Sequence, residues 1–368
     1  MSPYIHELPD WPRFRWDHEA LATPLAGARH RQGRLLGQME ALGFKVREQA
    51  VLRALTDDVL KTSDIEGETL DADQVRSSLA RRLGIDIGGL TPVDRHVEGV
   101  VEMMLDATQQ YDRPLTQQRL FAWQSALFPT GRSGMHPVTV GAWRNDRMAP
   151  MQVVSGPVGR ERVHFEAPPA SRLKGEMRAF LDWFNDDLTT EAVLKAAQAH
   201  LWCVTIHPFG DGNGRIARAI ADMALARSED SSQRFYSMSA QIRQERAQYY
   251  RILEQTQHGT MDITPWMAWF LGCLTRAIEG ATTAMAGVIA KARFWEKLHD
   301  VPLNERQRLV INRSLDGFDG NLTTSKWATL TKSSQDTALR DILWLVERGV
   351  LVRNAAGGRS TSYSLAAR

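Results

Sequence analysis

HPFGDGNGRIAR, residues 207–218, holds one histidine, one aspartate, three glycines, one asparagine and two arginines in twelve positions. The apolar run HLWCVTI precedes it and AIADMALAR follows, so the stretch reads as a turn between two helices. Gly212-Asn213-Gly214 at the start of the second helix leaves consecutive backbone N–H groups unpaired and unshielded. Such a nest, at the positive end of a helix dipole, suits an anion and above all a phosphate. Arg215 and Arg218, three apart, can project from one side of the first turn and add bidentate partners for further phosphate oxygens. Asp211 is placed to hold a Mg²⁺ that bridges those phosphates, because hard cations prefer carboxylate oxygen. His207, four residues before Asp211, can take a proton from an attacking hydroxyl. Each residue has a plainer reading alone: a surface histidine, a helix start, two solvated arginines. Together the polar positions point to a nucleotide, a divalent metal and a base for transfer of a phosphate-containing group.

The rest of the chain limits what can surround this turn. Its 368 residues carry 43% hydrophobic and 24% charged residues and a formal net charge of +2. That is the make-up of an ordinary globular protein of two or three domains, and it gives no whole-chain argument for nucleic acid or membrane. The two cysteines, Cys203 and Cys273, lie in apolar stretches and read as buried thiols of a reducing compartment. MSPYIHELPDWPRFRW has charges and prolines where a signal peptide has an apolar stretch, and no run is long enough to span a bilayer. A cytoplasmic location is expected.

Helical spacing covers Ala20 to Leu42, Lys45 to Leu60 and Asp73 to Leu83, then VDRHVEGVVEMMLDATQQY with Pro92 near its start. Between Pro114 and Gly280 the pattern is helical with one interruption. There MQVVS and ERVHF, on either side of Gly156, Pro157 and Gly159, read as a β-hairpin stopped by Pro168 and Pro169. Beyond Pro302 come a helix over LNERQRLVINRSLDGF ended at Asp319-Gly320, a short helix, and a second one capped by Ser333 or Ser334. Two β-prone runs around Gly357-Gly358 follow. That order predicts a winged helix-turn-helix. Its ten Lys/Arg against six Asp/Glu make only a modest positive excess. The fold class expected is mainly α: an N-terminal helical domain over 1–110, a helical core with a β-hairpin flap over 111–285, and a winged helix-turn-helix domain over 300–368.

HPFGDGNGRIAR resembles the signature of the Fic family, H-x-F-x-[DE]-G-N-G-R-x-x-R, and meets every fixed position. The resemblance implies transfer of AMP from ATP, with Mg²⁺, to a Ser, Thr or Tyr hydroxyl of a target protein. It makes His207 the base, Phe209 the plug that fixes the loop and Asp211 the metal ligand. The amides of Gly212 and Gly214 and the side chain of Asn213 would cradle the phosphates, with Arg215 and Arg218 orienting the β- and γ-phosphates. The hairpin becomes a flap that clamps the target by strand addition. Tyr249 and Tyr250, in QYYRILEQTQ, line the base pocket or simply pack the helical core.

KTSDIEGETL, residues 61–70, is similar to the inhibitory pattern [ST]-x-x-x-E-[GN] of the same family, met by Thr62, Glu66 and Gly67. A buried Glu66 paired with Arg218 would remove the cation that holds the γ-phosphate. Two other readings stay open: a de-AMPylase that depends on Glu66, and an ATP-binding transcriptional or scaffold regulator working through the winged helix. Self-modification, a homodimer and DNA binding are open as well.

Overall fold

The computed structural model describes residues 4–146, 149–157, 160–316, 321–354 and 361–366. From the N-terminus come α1 (His18–Glu40), α2 (Phe44–Ile65), α3 (Ala72–Leu83), α4 (Arg95–Gln109) and α5 (Gln117–Leu127). Two short antiparallel hairpins follow, β1 (Arg132–Ser133) with β2 (His136–Pro137) and β3 (Gln152–Ser155) with β4 (Arg162–Glu166). Then come α6 (Leu173–Asp186), α7 (Ala192–Ile206), α8 (Asn213–Glu229), α9 (Met238–Gln244), α10 (Arg246–Gln257) and α11 (Thr264–Lys297). The last elements are α12 (Glu305–Asp316), β5 (Leu322–Thr323), α13 (Thr324–Thr331), α14 (Gln335–Glu347), β6 (Leu351–Arg353) and β7 (Ser362–Leu365). The fold is mainly α with a small β-hairpin, as expected.

Two compact units divide the chain, Met1–Thr283 and Ala284–Arg368. Residues 1–110, read from the sequence as a domain of their own, therefore share a unit with the core. The helices α7 and α8 form its centre. From Val193 to Ile206 every residue but one is buried, and α8 is buried from Arg215 to Ala226. A helix apolar on all sides needs neighbours all round, and α8 receives α2, α4, α5 and α7. The irregular start of the chain belongs here too. Trp11 and Phe14 pack edge-on against Trp202 of α7, and the Trp11 indole donates to Glu176 of α6 at 2.8 Å. Tyr4 meets Phe165 at the base of the second hairpin.

Several boundaries differ from the sequence reading. Helix α2 continues past Leu60 to Ile65, because Thr62 and Ser63 are fully buried and tertiary contacts override their poor helix propensity. Helix α4 starts at Arg95, beyond Pro92, and the hairpin β1–β2 carries no sequence alternation that would announce it. Gly159, Asp319-Gly320 and the Gly357-Gly358 turn lie outside the described residues. In the second unit Ser334, not Ser333, caps α14 by accepting the Thr337 N–H. There β5, β7 and β6 form a three-stranded antiparallel sheet in that order, against a core built on Trp327, Ile342, Leu345 and Val310.

A buried polar cluster joins α1, α2 and α8. Asp58 and Asp222 are buried, and the guanidinium of Arg234 pairs with Asp222 at 3.1 Å and with the covered carboxylate of Glu229 at 3.0 Å. Asp58 accepts from the Ser237 hydroxyl and the Ser239 N–H, and Glu229 accepts from Tyr236 and Gln32. Burial raises the pKa of Asp58, and burial with the neighbouring Asp58 and Glu229 charges pushes that of Asp222 well above the usual range against Arg234 and Arg218. A raised folded-state value gives stability that is lost as pH rises above the unfolded carboxyl value, by up to about 1.4 kcal/mol per pH unit and proton. The stability of wild type against urea should therefore fall as pH rises above the ordinary carboxyl value of about 4, and Asp222→Asn should flatten that decline. Parallel profiles would rule out a proton held at Asp222.

Candidate active site

The turn between α7 and α8 is held from three sides. His207 ends α7 in the left-handed region, φ 52°, with its N–H on the Cys203 carbonyl. A β-carbon makes that conformation cost about 1–2 kcal/mol, and Arg144 helps to stabilise it. The buried Arg144 donates from Nε to the His207 carbonyl at 2.7 Å and from its N–H to the Pro208 carbonyl at 2.9 Å. Asn213 closes the turn from inside: its Oδ1 accepts the Phe209 N–H at 2.9 Å and its Nδ2 donates to the Phe209 carbonyl at 2.8 Å. Phe209 is fully buried, 5.2 Å from the Trp143 ring. The resemblance put the Asn213 side chain on the phosphates; here both its polar ends are engaged by Phe209, and it shapes the loop. Arg144 escaped the sequence reading because it lies in a loop with no periodicity.

His207 is held as a neutral imidazole. Its Nδ1 faces the Val204 carbonyl at 3.2 Å, and a carbonyl only accepts, so Nδ1 carries the proton and Nε2 keeps its lone pair. Burial is the main cause that lowers its pKa to about 4, and the Arg144 charge adds to it. Gly212 stands at φ 86°, where a Cβ would come within 3.0 Å of Phe128. At Gly214 a Cβ would fall on the Glu66 carboxylate, so this glycine is what admits that group to the nest. Asp211 is half-buried beside the nest, with its Oδ1 accepting the Gly212 N–H at 2.5 Å. One hard carboxylate next to a phosphate site fits Mg²⁺, which takes its remaining ligands from phosphate and water. Among the described residues no cluster of three or more His, Cys, Asp or Glu side chains forms a metal site of its own.

The stretch 61–70 delivers its acids through a helix end. Gly67, at φ 86°, lets its N–H reach the Asp64 carbonyl and that of Glu68 reach the Ser63 carbonyl, the Schellman pattern that stops α2. Thr62 and Glu66 lie on one face, four apart. The buried Arg218 donates from Nε to the Thr62 hydroxyl at 2.8 Å, and from one amino group to the Thr62 carbonyl at 2.9 Å and to Glu66 at 2.6 Å. Burial opposes the Arg218 charge, but Glu66 outweighs it and raises the pKa. Arg215 does not face an open nest either. It is 1% exposed and binds Glu68 at 2.5 Å, and His96 lies 3.3 Å from the same oxygen. Burial works to raise the Glu68 pKa, but His96 and Arg215 hold it below the ordinary value. Both arginines of the turn thus grip carboxylates of one short segment. The role of Glu68 was not legible, since the inhibitory pattern ends at Gly67.

A cavity of about 810 Å³ collects these groups: His207, Gly214 and Glu66 on one side, Val153 and His164 of the hairpin on another, and α10 on a third. Tyr249 and Tyr250 both line it. Tyr249 is buried, its hydroxyl 2.9 Å from His200 Nε2 and its ring 5.5 Å from Trp269, so it packs the core as well. Tyr250 is 38% exposed, under the guanidinium of Arg246.

Residues 114–225 match the family model described as Fic/DOC family, and residues 4–85 match one described as a domain of unknown function, DUF4172. Among curated proteins, the protein adenylyltransferase Fic of Drosophila mojavensis is 27% identical over 220 residues, 58% of this chain and 39% of its own. That of Nematostella vectensis is 32% identical over 147 residues, 39% of this chain and 30% of its own. The chain thus spans well under half the length of the curated relatives it matches. A Fic family protein from Desulfovibrio desulfuricans G20 has the same fold, with a TM-score of 0.56 at 20% identity over 95% of this chain and 96% of that one. A Fic domain containing signaling protein from Bacteroides thetaiotaomicron gives 0.51 at 22% identity, covering 70% of this chain and 97% of that one. The turn and the start of the helix that follows it lie within residues 114–225, the segment that matches the Fic/DOC family model.

Proposed function

We propose that the chain is a protein adenylyltransferase that moves AMP from ATP to a hydroxyl side chain of a target protein and is restrained by its own Glu66. The observation that carries this reading is the Glu66 carboxylate bound to Arg218 against Gly214, in the cavity that also contains His207. An anion site filled by an internal anion is what a restrained phosphate site looks like. With Glu66 withdrawn, the amide of Gly214 and the guanidinium of Arg218 are available to a triphosphate, and the Gly212 amide joins them once Asp211 turns to a metal. Mg²⁺ on Asp211 would supply further neutralisation of phosphate charge. The target hydroxyl oxygen then bonds to the α-phosphorus, its proton passes to His207 Nε2, and the bond to pyrophosphate breaks. In that step the loop held by Asn213 and Arg144 fixes where Nε2 stands. The same geometry supports a second restraint, Glu68 on Arg215.

The flap supports a protein target. Within the described residues β3 pairs only with β4, which leaves one edge of β3 for an added strand. The order of elements in Ala284–Arg368 supports a winged helix-turn-helix. The exposed face of α14 carries Leu339 and Leu343 among Asp336, Arg340 and Glu347. Apolar and mixed charges suit a protein surface better than a phosphate backbone.

With ATP labelled at the α-phosphate, Mg²⁺ and host lysate, Glu66→Gly should label proteins about 10- to 100-fold more than wild type, the range of a ~1.4–2.7 kcal/mol coupling. Adding His207→Ala should cut that by at least about 100-fold, and adding Glu68→Gln should raise it further. No label from any variant would refute AMP transfer. A wild type that strips AMP from modified protein, and loses this without Glu66, would establish the reverse reaction in its place.

The pH profile gives an independent check on His207. A lowered histidine pKa means the base is intact above its value and lost as pH falls through it, so the acid limb of kcat/KM should lie near 4. Removing the Glu66 charge, which favours the protonated ring, should shift the limb lower still. A limb near the ordinary histidine value would mean that His207 is not held neutral.

A further inference from the structure

We propose that Arg144 is the positioning residue that ties the flap to the turn 207–214, and so sets how far a hydroxyl held by the flap stands from His207 Nε2. The inference rests on the AMP-transfer reading above. Arg144 is 5% exposed, and its donors go to both sides. Its Nε donates to the His207 carbonyl at 2.7 Å and its backbone N–H to the Pro208 carbonyl at 2.9 Å. One amino group donates to the Pro168 carbonyl at 2.5 Å and the other to Asp146 Oδ1 at 2.5 Å. Asp146 in turn accepts the Ala170 N–H on its second oxygen. His207 and Pro208 belong to the turn, whereas Pro168 and Ala170 lie just beyond Glu166, the last residue of β4.

The prolines make such a bridge necessary. Pro168, Pro169 and Pro208 have no N–H, and the His207 N–H is already on the Cys203 carbonyl. The two segments therefore bring carbonyls to Arg144 and offer one another no backbone donor. A guanidinium supplies several N–H groups in one rigid plane, which fixes the carbonyls it joins relative to each other. A lysine would keep the charge, but its compact ammonium lacks that fork.

The flap leads into this point. Its ladder continues past Glu166 to Ala167, whose N–H donates to the Met151 carbonyl at 2.9 Å, and Pro168 is the next residue. Further out, Val153 pairs with Phe165 and Val154 with Val163, which leaves His164 as the extra residue of a bulge in β4. There His164 Nδ1 donates to Glu254 of α10 at 3.0 Å, and Arg162 donates to the same carboxylate at 2.6 Å. Glu254 anchors the outer part of the strand to α10, and Arg144 anchors its exit to the segment that carries His207. In-line transfer needs the hydroxyl within hydrogen-bond reach of Nε2, and a misplacement of about 1 Å can cost about 100-fold in rate. After burial, the Arg144 charge is a further cause that keeps the His207 ring neutral.

The test uses the full-length Glu66→Gly protein as parent, with ATP labelled at the α-phosphate, Mg²⁺ and host lysate. Arg144→Lys, Arg144→Met or Asp146→Asn is added, and ATP binding is followed by calorimetry. Arg144→Lys should lower the labelling rate at saturating ATP about 100-fold, while ATP binding and the acid limb of the pH profile stay as in the parent. Arg144→Met should lose at least as much rate and move the acid limb up toward the ordinary histidine value, because the charge is gone. Asp146→Asn leaves the bonds of Arg144 to the carbonyls in place and should cost less. A parent-like rate in Arg144→Lys would overturn the proposal, since charge alone would then suffice. Rate losses matched by lost ATP binding in every variant would overturn it too, as the mark of a merely structural role. No label from the parent would refute AMP transfer itself and this inference with it, a distinct outcome.

Discussion

A guanidinium cannot stay buried without an anion. Arg218 sits at 2% exposure in the middle of the first unit, and leaving such a charge unpaired costs several kcal/mol. The architecture around the turn follows from supplying that partner. Helix α2 must run to Ile65 so that Thr62 and Glu66 face α8, Gly67 must turn the chain at once, and Gly214 must lack a side chain where the carboxylate lands. On the function proposed here, the γ-phosphate of ATP is the other anion able to occupy that place. Restraint and activity are then two solutions to one electrostatic requirement.

The two halves of the site differ in how firmly they are held. The turn 207–214 is fixed by Asn213, Phe209 and Arg144, all at the buried centre of the unit. Glu66 is the last residue of a helix end, and its side chain is about one third exposed. Helix ends fray at far lower cost than a packed core opens. A carboxylate placed there can leave without disturbing the groups that perform the chemistry.

The twelve-residue turn, the hairpin and the pairing of Glu66 with Arg218 were legible because each rests on local spacing: residue types at fixed intervals imply a turn, a hairpin or a helix face. Contacts between distant segments were not. Nothing in the sequence joins Glu68 to Arg215, 147 positions away, or Arg144 to the His207 carbonyl. The end of α2 was misjudged for the same reason, since Thr62 looks like a poor helix residue until Arg218 is packed against it. The bonds of Asn213 to Phe209 were not legible, because an amide next to glycines suits phosphate and backbone equally well. The bulge at His164 was invisible, because alternation in so short a strand cannot reveal one extra residue.

The Schellman turn at Gly67 has a consequence for how such a restraint responds to conditions. On the function proposed above, α2 carries Glu66 on the same chain, so the carboxylate would compete at an effective concentration set by the geometry of one helix end. That concentration does not change with the amount of protein made, so overproduction alone releases nothing. The level of free nucleotide enters the competition directly, as does any contact that pulls on the last turn of α2. On the function proposed above, the chain would thereby carry a threshold that depends on its surroundings and not on its own abundance.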